Sequence, residues 1–568
     1  MSLTVSIIAT ISATFFLYRV FWPLFFSPLA RIPGPKPFAF TKLKLAYEDY
    51  KGTRTRVIHR LHQVYGSIVC VGPNEVSFNS LTALRQIYGA GSAFGRPGSF
   101  YRIFDVYEQP HMFTFYSSSE HSARKKMISR MYAKSTVLNS SVASSIQSKV
   151  MQFLDLIESD PQTASNLVTS LSYYSLDNIT WMVFRGSGGA TSALTGRTSD
   201  REILGDIHQP ESRRYTWFRI HFPRYTGWAM SCGPRSKSIL ALVGLLPGVK
   251  PLAYSGLQDY ALATCKAHRG YKSPEPTSED GLMTRLLSEQ ASRCGSDSIS
   301  DMDIAAECAD HLDAGLRTTS DTLMFTLWAL SLPGNQQYQQ RLAAEVDSVR
   351  HSPSNEGPVS SAEVCDHLPF LDAVIKEALR LYAPIPSSQP RVSRCDARID
   401  GYLIPAGTVV SCQSYSLHRN PEVFPDPYKF DPDRWLAGEE VVATMRRWWW
   451  PFSSGGRMCL GMHLAVAEMT TLLVAIYQRY STAVSPKSQN LSPTASSRFE
   501  LLYDDLFPIA ESTIKSLLIS PSPSWTSSPD PQAAVHGFAI PAAARSGAMP
   551  RYPRSGPAGE STAPRQPA

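Results

Sequence analysis

Apolar residues recur at helical spacing along most of this chain, and only a few short stretches alternate as strands do. The most regular pattern runs from Ala306 to Leu330, where the spacing of the leucines predicts one long helix. A second helical pattern begins shortly after Cys459. Alternation predicts a strand pair over Ile68–Phe78 and a hairpin over Gly401–Val410. The pattern therefore predicts a mainly α fold with a small β region.

The first apolar stretch, Leu3–Phe26, is interrupted by serines and threonines, one tyrosine and Arg19. Its length suffices for one membrane span if Arg19 reaches an interface. A cleaved signal peptide fits less well, because no positively charged segment precedes the stretch and no clear small-residue cleavage site follows it. We therefore predict a transmembrane anchor over residues 1–30. By the positive-inside rule the large domain is cytosolic, since the span is followed by Arg31, Lys36, Lys42 and Lys44.

Composition favours one large domain between residues 31 and 520, because this part has no internal repeat, long low-complexity run or linker. The net charge of +7 is small for 568 residues, and no basic stretch interleaved with aromatic residues indicates a nucleic-acid surface. Nine cysteines form no CxxC pair, which favours reduced thiols on the cytosolic side. Proline, serine and alanine dominate residues 521–568, where we predict a disordered tail.

The stretch from Phe452 to Gly461 carries the most specific chemistry. Cys459 lies at or just before a predicted helix start, where free N–H groups and the helix dipole favour a thiolate, which is a metal ligand. Gly455 and Gly461 would let the backbone turn sharply and approach a flat ligand closely. Arg457 could meet a ligand carboxylate with its planar guanidinium group. These features indicate haem, and the alternative is a buried, inert cysteine.

These residues reproduce the signature Phe-x-x-Gly-x-Arg-x-Cys-x-Gly, and the chain resembles the cytochrome P-450 family over nearly all of residues 31–520. The resemblance implies the cytochrome P-450 fold and haem b as the cofactor. It also implies that Cys459 is the metal ligand, as the axial thiolate of the haem iron. Phe452, Gly455 and Arg457 would then be haem-binding residues.

A basic segment, Glu120–Ile128, resembles the helix of this family that binds the haem propionates. His121 and Lys125 would be its ligands, and they lie one helical turn apart. The alternative is a solvated basic helix face. On the same resemblance, Arg391 would bind a propionate.

The family also has a Glu-x-x-Arg motif, which Glu377 and Arg380 reproduce, and a later arginine, which Arg434 matches. The resemblance implies that these three residues form a buried scaffold beneath the Cys459 loop, without a direct part in the chemistry. Taken alone, the Glu377/Arg380 pair would more simply be a surface ion pair of little energetic value.

The long predicted helix contains Ala314-Gly315-Leu316-Arg317-Thr318-Thr319, which resembles the oxygen-site motif of the family. The resemblance implies that Gly315 leaves room for dioxygen and that Thr318 holds water that delivers protons, which makes both candidate catalytic residues. The alternative for Thr318 is a hydroxyl bonded back to its own helix. Arg317 departs from the family, which usually has an acid there. It lies four residues from Asp313 and from Asp321, so we predict an ion-pair stripe along one helix face.

The resemblance implies a haem-thiolate monooxygenase that inserts one oxygen atom into a lipophilic small molecule. Electrons would come from NADPH through a membrane-bound reductase. The motifs are similar to those of fungal secondary-metabolite enzymes, and Arg31–Pro35 resembles the hinge of microsomal members, which implies the endoplasmic reticulum. Two alternatives stay open. One is a haem-thiolate enzyme that catalyses oxidative coupling or isomerisation without oxygen insertion, and the other is a non-catalytic haem sensor or membrane adaptor.

Overall fold

Helices form most of the protein, as the apolar pattern predicts. The computed structural model describes residues 2–138, 141–159, 167–205, 210–247, 255–268, 280–292, 298–350, 359–484, 496–497, 501–502 and 517–521. The α-helices are α1 (Ser2–Phe21), α2 (Lys36–Phe40), α3 (Leu43–Tyr50), α4 (Arg54–Tyr65), α5 (Leu81–Tyr88), α6 (Gly98–Tyr101), α7 (Ser118–Ile128), α8 (Lys134–Leu138), α9 (Ser141–Ser159), α10 (Leu167–Phe184), α11 (Thr198–Glu202), α12 (Pro210–His221), α13 (Pro223–Ser231), α14 (Pro234–Leu242), α15 (Ser255–Ala267), α16 (Leu282–Ser292), α17 (Asp301–Ser331), α18 (Gln336–Ser348), α19 (Ala362–Asp366), α20 (Pro369–Leu381), α21 (Ser414–Leu417), α22 (Glu439–Trp448) and α23 (Met462–Tyr477).

The 31-residue helix α17 runs through the main hydrophobic core. A capping box starts it: the Ser300 hydroxyl accepts from the Asp303 N–H at 3.1 Å, and Asp303 Oδ2 accepts from the Ser300 N–H at 2.9 Å. Its leucine face is buried, and it packs most extensively against α10 and α15. The long helix predicted from Ala306 to Leu330 is therefore confirmed.

Short strands form a small β region beside the helices. They are β1 (Ile68–Gly72), β2 (Glu75–Phe78), β3 (Arg391–Val392), β4 (Ala397–Ile399), β5 (Tyr402–Ile404), β6 (Val409–Cys412), β7 (Tyr480–Val484), β8 (Ser496–Ser497), β9 (Leu501–Leu502) and β10 (Leu517–Pro521). The largest sheet has the order β1-β2-β6-β3, in which only β2 and β6 are parallel. The predicted strand pair over Ile68–Phe78 is confirmed as β1 and β2.

The hairpin predicted over Gly401–Val410 is wrong in its pairing. Strand β5 pairs with the preceding β4, whereas β6 joins the larger sheet between β2 and β3. The reason is local: Asp400 and Gly401 both have positive φ, 48° and 85°, as a two-residue hairpin turn requires. The turn that closes the hairpin therefore lies before Tyr402 and not after Ile404.

The predicted transmembrane anchor is not supported. The apolar N-terminal stretch forms α1, but within the described parts of the chain no helix is both long and apolar enough to cross a membrane. The physical reason is composition, because six serines and threonines dilute the apolar residues of α1. The expectation of the endoplasmic reticulum, which rested on this span, is likewise unsupported.

All described residues belong to one compact unit, Met1–Ser522. The predicted disordered tail over residues 521–568 lies outside the described residues except for Pro521, which ends β10. The cysteines that the structure describes are all unpaired, in accord with the expected reduced thiols.

Candidate haem-thiolate site

The predicted metal ligand, Cys459, lies in a tight loop directly before α23. Its backbone N–H donates to the Phe452 carbonyl oxygen at 2.8 Å, which closes the loop. A single 3-10 turn, Gly455–Arg457, lies inside the loop, and Gly461 caps the helix that follows. Phe452 packs partly buried against the main core, with its ring 5.9 Å from that of Trp449. The predicted position of Cys459 at a helix start is therefore confirmed.

The two glycines of the loop have different reasons to be glycine. Gly455 has φ +62°, and a Cβ there would overlap the Tyr88 carbonyl oxygen and the backbone of Gly89. Gly461 has φ −80°, and a Cβ there would meet open space. The close approach at Gly455 is thus to the chain's own backbone, and the expectation that both glycines let the loop approach a flat ligand stays a prediction.

The Cys459 side chain is exposed, yet protein atoms surround it closely. Burial raises the pKa of its thiol, while the backbone N–H of Gly461 and the charge of Lys125 lower it. A thiol that is accessible and yet surrounded by protein atoms lies at the wall of an internal space. The negative charge of a Cys459 thiolate also raises the pKa of Tyr132, so the two side chains are close to each other. The Tyr132 hydroxyl is hydrogen-bonded to His311 of α17 at 2.6 Å, and the internal space therefore lies near α17.

Four basic side chains converge beside this loop, and we call them the cationic cluster: Arg96, His121, Arg391 and Arg457. Burial lowers the pKa of His121 to about 3, and the charges of Arg457, Arg96, Lys125 and Arg391 add to the effect. Burial and the other two arginines likewise lower the pKa of Arg457 to about 9. The three arginines of the cluster therefore hold positive charge close together, while His121 among them is neutral.

The members of the cationic cluster come from separate parts of the chain. His121 lies on α7, Arg391 on β3 and Arg457 in the thiolate loop, where its Nη2 donates to the Ser117 carbonyl oxygen at 3.1 Å. Lys125, one turn after His121, instead reaches the thiolate loop and donates from Nζ to the Gly456 carbonyl oxygen at 3.0 Å. Both predicted propionate ligands on α7 therefore lie near Arg457, Lys125 is already bonded to the thiolate loop, and their propionate-binding role stays a prediction.

Sequence reasoning missed Arg96, which precedes α6. Its signal was one of two arginines, Arg96 and Arg102, in the stretch from Phe94 to Tyr116, which is rich in aromatics and glycine. Arg96 is 9 % exposed, and burial lowers its pKa to about 10. Only the folded chain brings it to Arg391 and Arg457.

The middle of α17 presents an open face. Ala314 is exposed although its helix neighbours Leu312 and Leu316 are buried. Gly315 points elsewhere: a Cβ there would lie 2.5 Å from Ile179 Cγ1 of α10. Close helix packing therefore gives a structural reason for glycine at 315, and the predicted role of Gly315 in leaving room for dioxygen stays a prediction.

Thr318 and Arg317 follow one turn later. The Thr318 hydroxyl donates to the Ala314 carbonyl oxygen at 2.7 Å, which is the bond back to its own helix that the sequence left open. Arg317 Nη2 lies 3.9 Å from Asp321 Oδ2, as the predicted ion-pair stripe requires. The proton-delivering role of Thr318 stays a prediction.

A buried ionic network lies beneath the thiolate loop and confirms the predicted scaffold. Glu377 accepts from Arg380 at 2.8 and 2.9 Å and from Arg434 at 3.0 Å. The Trp435 indole and the Asp431 N–H donate to the same carboxylate. Glu377 and Arg380 are both 0 % exposed, so the surface ion pair is excluded.

His418 connects this network to the thiolate loop. Its Nδ1 bonds the Arg380 carbonyl oxygen at 3.0 Å, and its Nε2 accepts from the Trp450 N–H at 2.7 Å. Burial lowers the pKa of His418 to about 3, so the ring is neutral. The Trp450 indole in turn donates to the Ser454 hydroxyl at 3.1 Å. The scaffold thus reaches the loop through one neutral histidine.

A second buried network, which sequence reasoning also missed, joins α7 and the segment before it to the first half of α17. Arg124 bonds Glu307 at 2.6 Å, and His111 bonds Asp310 at 3.0 Å. Burial opposes charge on His111, but Asp310 outweighs it and raises the His111 pKa to about 9. These carboxylates are thus balanced by cations within the protein.

The residues of the site fit haem. Haem carries two propionates, and of the residues that the structure describes no carboxylate lies at ion-pair distance from Arg96, Arg391 or Arg457. Arg457 Nη1 and Arg96 Nε are buried without a hydrogen-bond partner. An accessible thiol and a cluster of cations that lacks an anion are what a haem thiolate with two propionates would satisfy.

Comparison with known proteins agrees with this chemistry. The sequence model of the cytochrome P-450 family matches residues 252–503. Cytochrome P-450 monooxygenase stcB of Emericella nidulans is 28% identical over 447 residues, 78% of this chain and 80% of the relative. Cytochrome P-450 monooxygenase aflV of Aspergillus parasiticus is 28% identical over 471 residues, 82% of this chain and 87% of the relative. Cytochrome P-450 monooxygenase oblB of Cochliobolus heterostrophus is 28% identical over 488 residues, 83% of this chain and 88% of the relative.

The match covers α17, the buried scaffold and the thiolate loop, and the relatives extend over most of the remaining chain. Fold, site chemistry and relatives agree. We conclude that residues 252–503 match the cytochrome P-450 family of oxidoreductases, which hold haem b through a cysteine thiolate, and that the chain is similar to fungal members of this family over about four fifths of its length.

Proposed function

We propose that this protein is a monooxygenase that inserts one oxygen atom from dioxygen into a lipophilic small molecule. Electrons come from NADPH through a cytochrome P-450 reductase, and the reaction belongs to the biosynthesis of a secondary metabolite. The three relatives described above are fungal proteins named as cytochrome P-450 monooxygenases, and this supports the reaction type. An aromatic cluster beside the cationic cluster supports an apolar substrate, and it comprises Phe100, Tyr101, Phe104 and Phe113.

The observation that carries the proposal is the exposed face of α17. Ala314 is exposed in the middle of this largely buried helix, and the half-buried Thr318 stands one turn further along. Haem bound through Cys459 supplies the reductive activation of dioxygen. The chain's own part is to hold the thiolate, bind the propionates and offer a hydroxyl on the open helix face.

Thr318 is the best placed proton-handling group on this face. Its hydroxyl donates to the Ala314 carbonyl oxygen and keeps its lone pairs free to accept from water. Arg317 is paired with Asp321, and its guanidinium stays protonated, so it cannot relay a proton to the site. Proton delivery in this chain therefore depends on Thr318 and water and not on an acid at position 317.

The test is an incubation of the holoenzyme with reductase, NADPH and a panel of lipophilic substrates under isotopically labelled dioxygen. We expect product that carries one labelled oxygen atom and forms only with NADPH. The variant Cys459→Ser is the control: it should lose the red-shifted Soret band of the reduced carbon-monoxide complex and the product with it. Labelled product from Cys459→Ser would contradict the thiolate assignment.

One observation favours a second candidate, oxidative coupling without oxygen insertion. Arg317 occupies the place of the usual acid, and Thr318 is bonded back to the helix, so proton supply is less direct than in the family pattern. The same incubation separates the two functions. Coupled product that forms with NADPH and contains no label would replace the monooxygenase proposal.

A further inference from the structure

Tyr132 and His311 form a buried pair near the thiolate site that no step of the proposed reaction uses. Tyr132 ends the 3-10 turn Ser129–Tyr132 that follows α7, and His311 lies on α17. We propose that Tyr132 is a redox-active side chain that gives one electron to the haem site after peroxide has oxidised it, and that His311 takes the phenolic proton. This inference rests on the haem assignment and not on oxygen insertion.

The Tyr132 hydroxyl is in direct contact with a base. It is hydrogen-bonded to His311 Nδ1 at 2.6 Å, which is short for a bond between oxygen and nitrogen. Both side chains are buried, Tyr132 at 3 % exposure and His311 at 7 %, so no water competes for the bond. A phenol that loses an electron becomes a strong acid, and a base already in hydrogen-bond contact can take its proton in the same step.

The other ring nitrogen of His311 indicates which way this proton moves. Nε2 is buried without a hydrogen-bond partner and lies 3.5 Å from Glu307 Oε1. A carboxylate favours a proton on the ring nitrogen that faces it, which leaves Nδ1 as the acceptor for Tyr132. When His311 becomes an imidazolium, the charge of Glu307 stabilises it. The contact with Glu307 therefore gives a reason for the otherwise unpartnered Nε2.

The elements around the pair place it beside the thiolate site. The turn that carries Tyr132 contacts α7 and α23, the two helices that flank the thiolate loop. On α7, Lys125 bonds the Gly456 carbonyl oxygen of that loop at 3.0 Å, and the charge of a Cys459 thiolate acts on Tyr132. Electron transfer through packed protein requires nearness and not contact, whereas proton transfer requires the hydrogen bond that His311 supplies.

The step balances in electrons and protons. Hydrogen peroxide is the oxidant; it forms when reduced dioxygen leaves without reaching a substrate, and it withdraws two electrons at the haem site. Tyr132 returns one of these electrons. Its phenolic O–H bond breaks, an N–H bond forms at His311 Nδ1, and the products are a neutral phenoxyl radical and an imidazolium. The pair thus removes an oxidising equivalent from the haem site when no substrate is there to accept oxygen.

The test mixes the full-length ferric haem protein with hydrogen peroxide, without substrate, reductase or NADPH, and freezes the mixture rapidly for electron paramagnetic resonance. We expect the signal of a phenoxyl radical in wild type, and ring-deuterated tyrosine incorporated into the protein should narrow it. Tyr132→Phe keeps the ring but has no phenolic proton, so it should lose this signal. Its Soret band should also bleach faster in peroxide than that of wild type.

Two further variants separate a redox role from a structural one. Tyr174 is the matched control, since it is fully buried but its hydroxyl donates to the Glu468 carbonyl oxygen at 2.9 Å, which cannot take the proton. Tyr174→Phe should keep the radical signal. His311→Gln still offers Tyr132 a hydrogen-bond acceptor but not a base, and the radical should form at least about tenfold more slowly. Should His311→Gln fail to bind haem, wild type in heavy water decides, because radical formation that moves this proton is slower there.

The inference is overturned if Tyr132→Phe keeps the wild-type tyrosyl signal, or if Tyr174→Phe loses it as completely as Tyr132→Phe does. It is also overturned if wild type gives no tyrosyl radical while its Soret band bleaches. Absence of the thiolate-type carbon-monoxide band in wild type would overturn the haem assignment and this inference with it. Oxygen insertion has no part in these outcomes, because peroxide is added directly.

Discussion

At the scale of single residues, the proposed route of proton delivery depends on positions 317 and 318. Arg317 stands where the family usually has an acid, and its partner is Asp321. A guanidinium is protonated at every relevant pH and cannot relay a proton as a carboxylate does. The adjacent Thr318 carries the only hydroxyl of this pair, and it lies one turn from the exposed Ala314. Proton delivery should therefore be sensitive to Thr318 and insensitive to Arg317.

We expect Thr318→Ala to consume NADPH while product per NADPH falls about tenfold or more, with the oxygen released as hydrogen peroxide. Arg317→Ala should keep product per NADPH within about twofold of wild type, because its guanidinium pairs with Asp321 and cannot relay a proton. Product, peroxide and NADPH are measured in the same reaction.

Thr319→Ala is the control for this pair, since Thr319 is the adjacent threonine and is 2 % exposed. It should remain coupled. If Thr318→Ala stays coupled while Arg317→Ala loses its product, the two roles are reversed and Arg317 contacts the substrate or the oxygen site.

At the scale of elements, the thiolate loop depends on how closely it approaches α5. Tyr88 ends α5, and its carbonyl oxygen lies where a side chain at 455 would begin. The positive φ of Gly455 adds a second reason for glycine, because other residues are strained in that region. Gly461 shares neither constraint. Replacing Gly455 should therefore destabilise the loop more than replacing Gly461, although both belong to the same signature.

Gly455→Ala should lower the free energy of unfolding by about 2–4 kcal/mol through strain and overlap with the Tyr88 carbonyl. It should also lower the fraction of protein that gives the thiolate-type carbon-monoxide band. Gly461→Ala, the matched substitution in the same loop, should cost less than about 1 kcal/mol. Urea unfolding and the carbon-monoxide spectrum of both variants check this, and equal losses would refute the unequal roles.

At the scale of the whole molecule, one buried carboxylate ties the helical core to the thiolate loop. Glu377 on α20 receives Arg380 from its own helix and Arg434 from a distant segment, and Arg380 continues through His418 to Trp450. Buried charges are costly unless they are fully paired. The network therefore stabilises the fold only as a complete set, and the loop depends on it for its position.

Glu377→Gln should leave two buried guanidinium groups underpaired and lower the free energy of unfolding by about 3–5 kcal/mol. The haem content per protein should fall as well, because the loop loses its support. Asp372→Asn on the same helix is the control: Asp372 pairs with Lys376 at the surface, so its loss should cost at most about 1 kcal/mol. Chemical unfolding and haem content are measured for both variants, and equal stability of the two would contradict a supporting role for Glu377.

Local sequence was sufficient for several parts of this protein. The leucine spacing determined α17, and alternation determined the β1–β2 pair, because both depend on residues close in the chain. The ten residues from Phe452 to Gly461 determined the ligand loop, since their chemistry and spacing are specific by themselves. By contrast, apolar length alone was misleading at α1, where serines and threonines lower the hydropathy of the helix.

Only the tertiary structure decided which residues meet. Nothing local indicates that Arg96 and Tyr101 come to Arg391, that Tyr88 blocks a side chain at 455, or that Ile179 occupies the space beside Gly315. The pairing of β5 with β4 was also settled by the positive φ of Asp400 and Gly401, which composition does not fix. Contacts between distant segments depend on how whole elements pack, so packing determined the groups that surround the metal ligand. The spacing of residues within one short stretch was sufficient to identify the ligand itself.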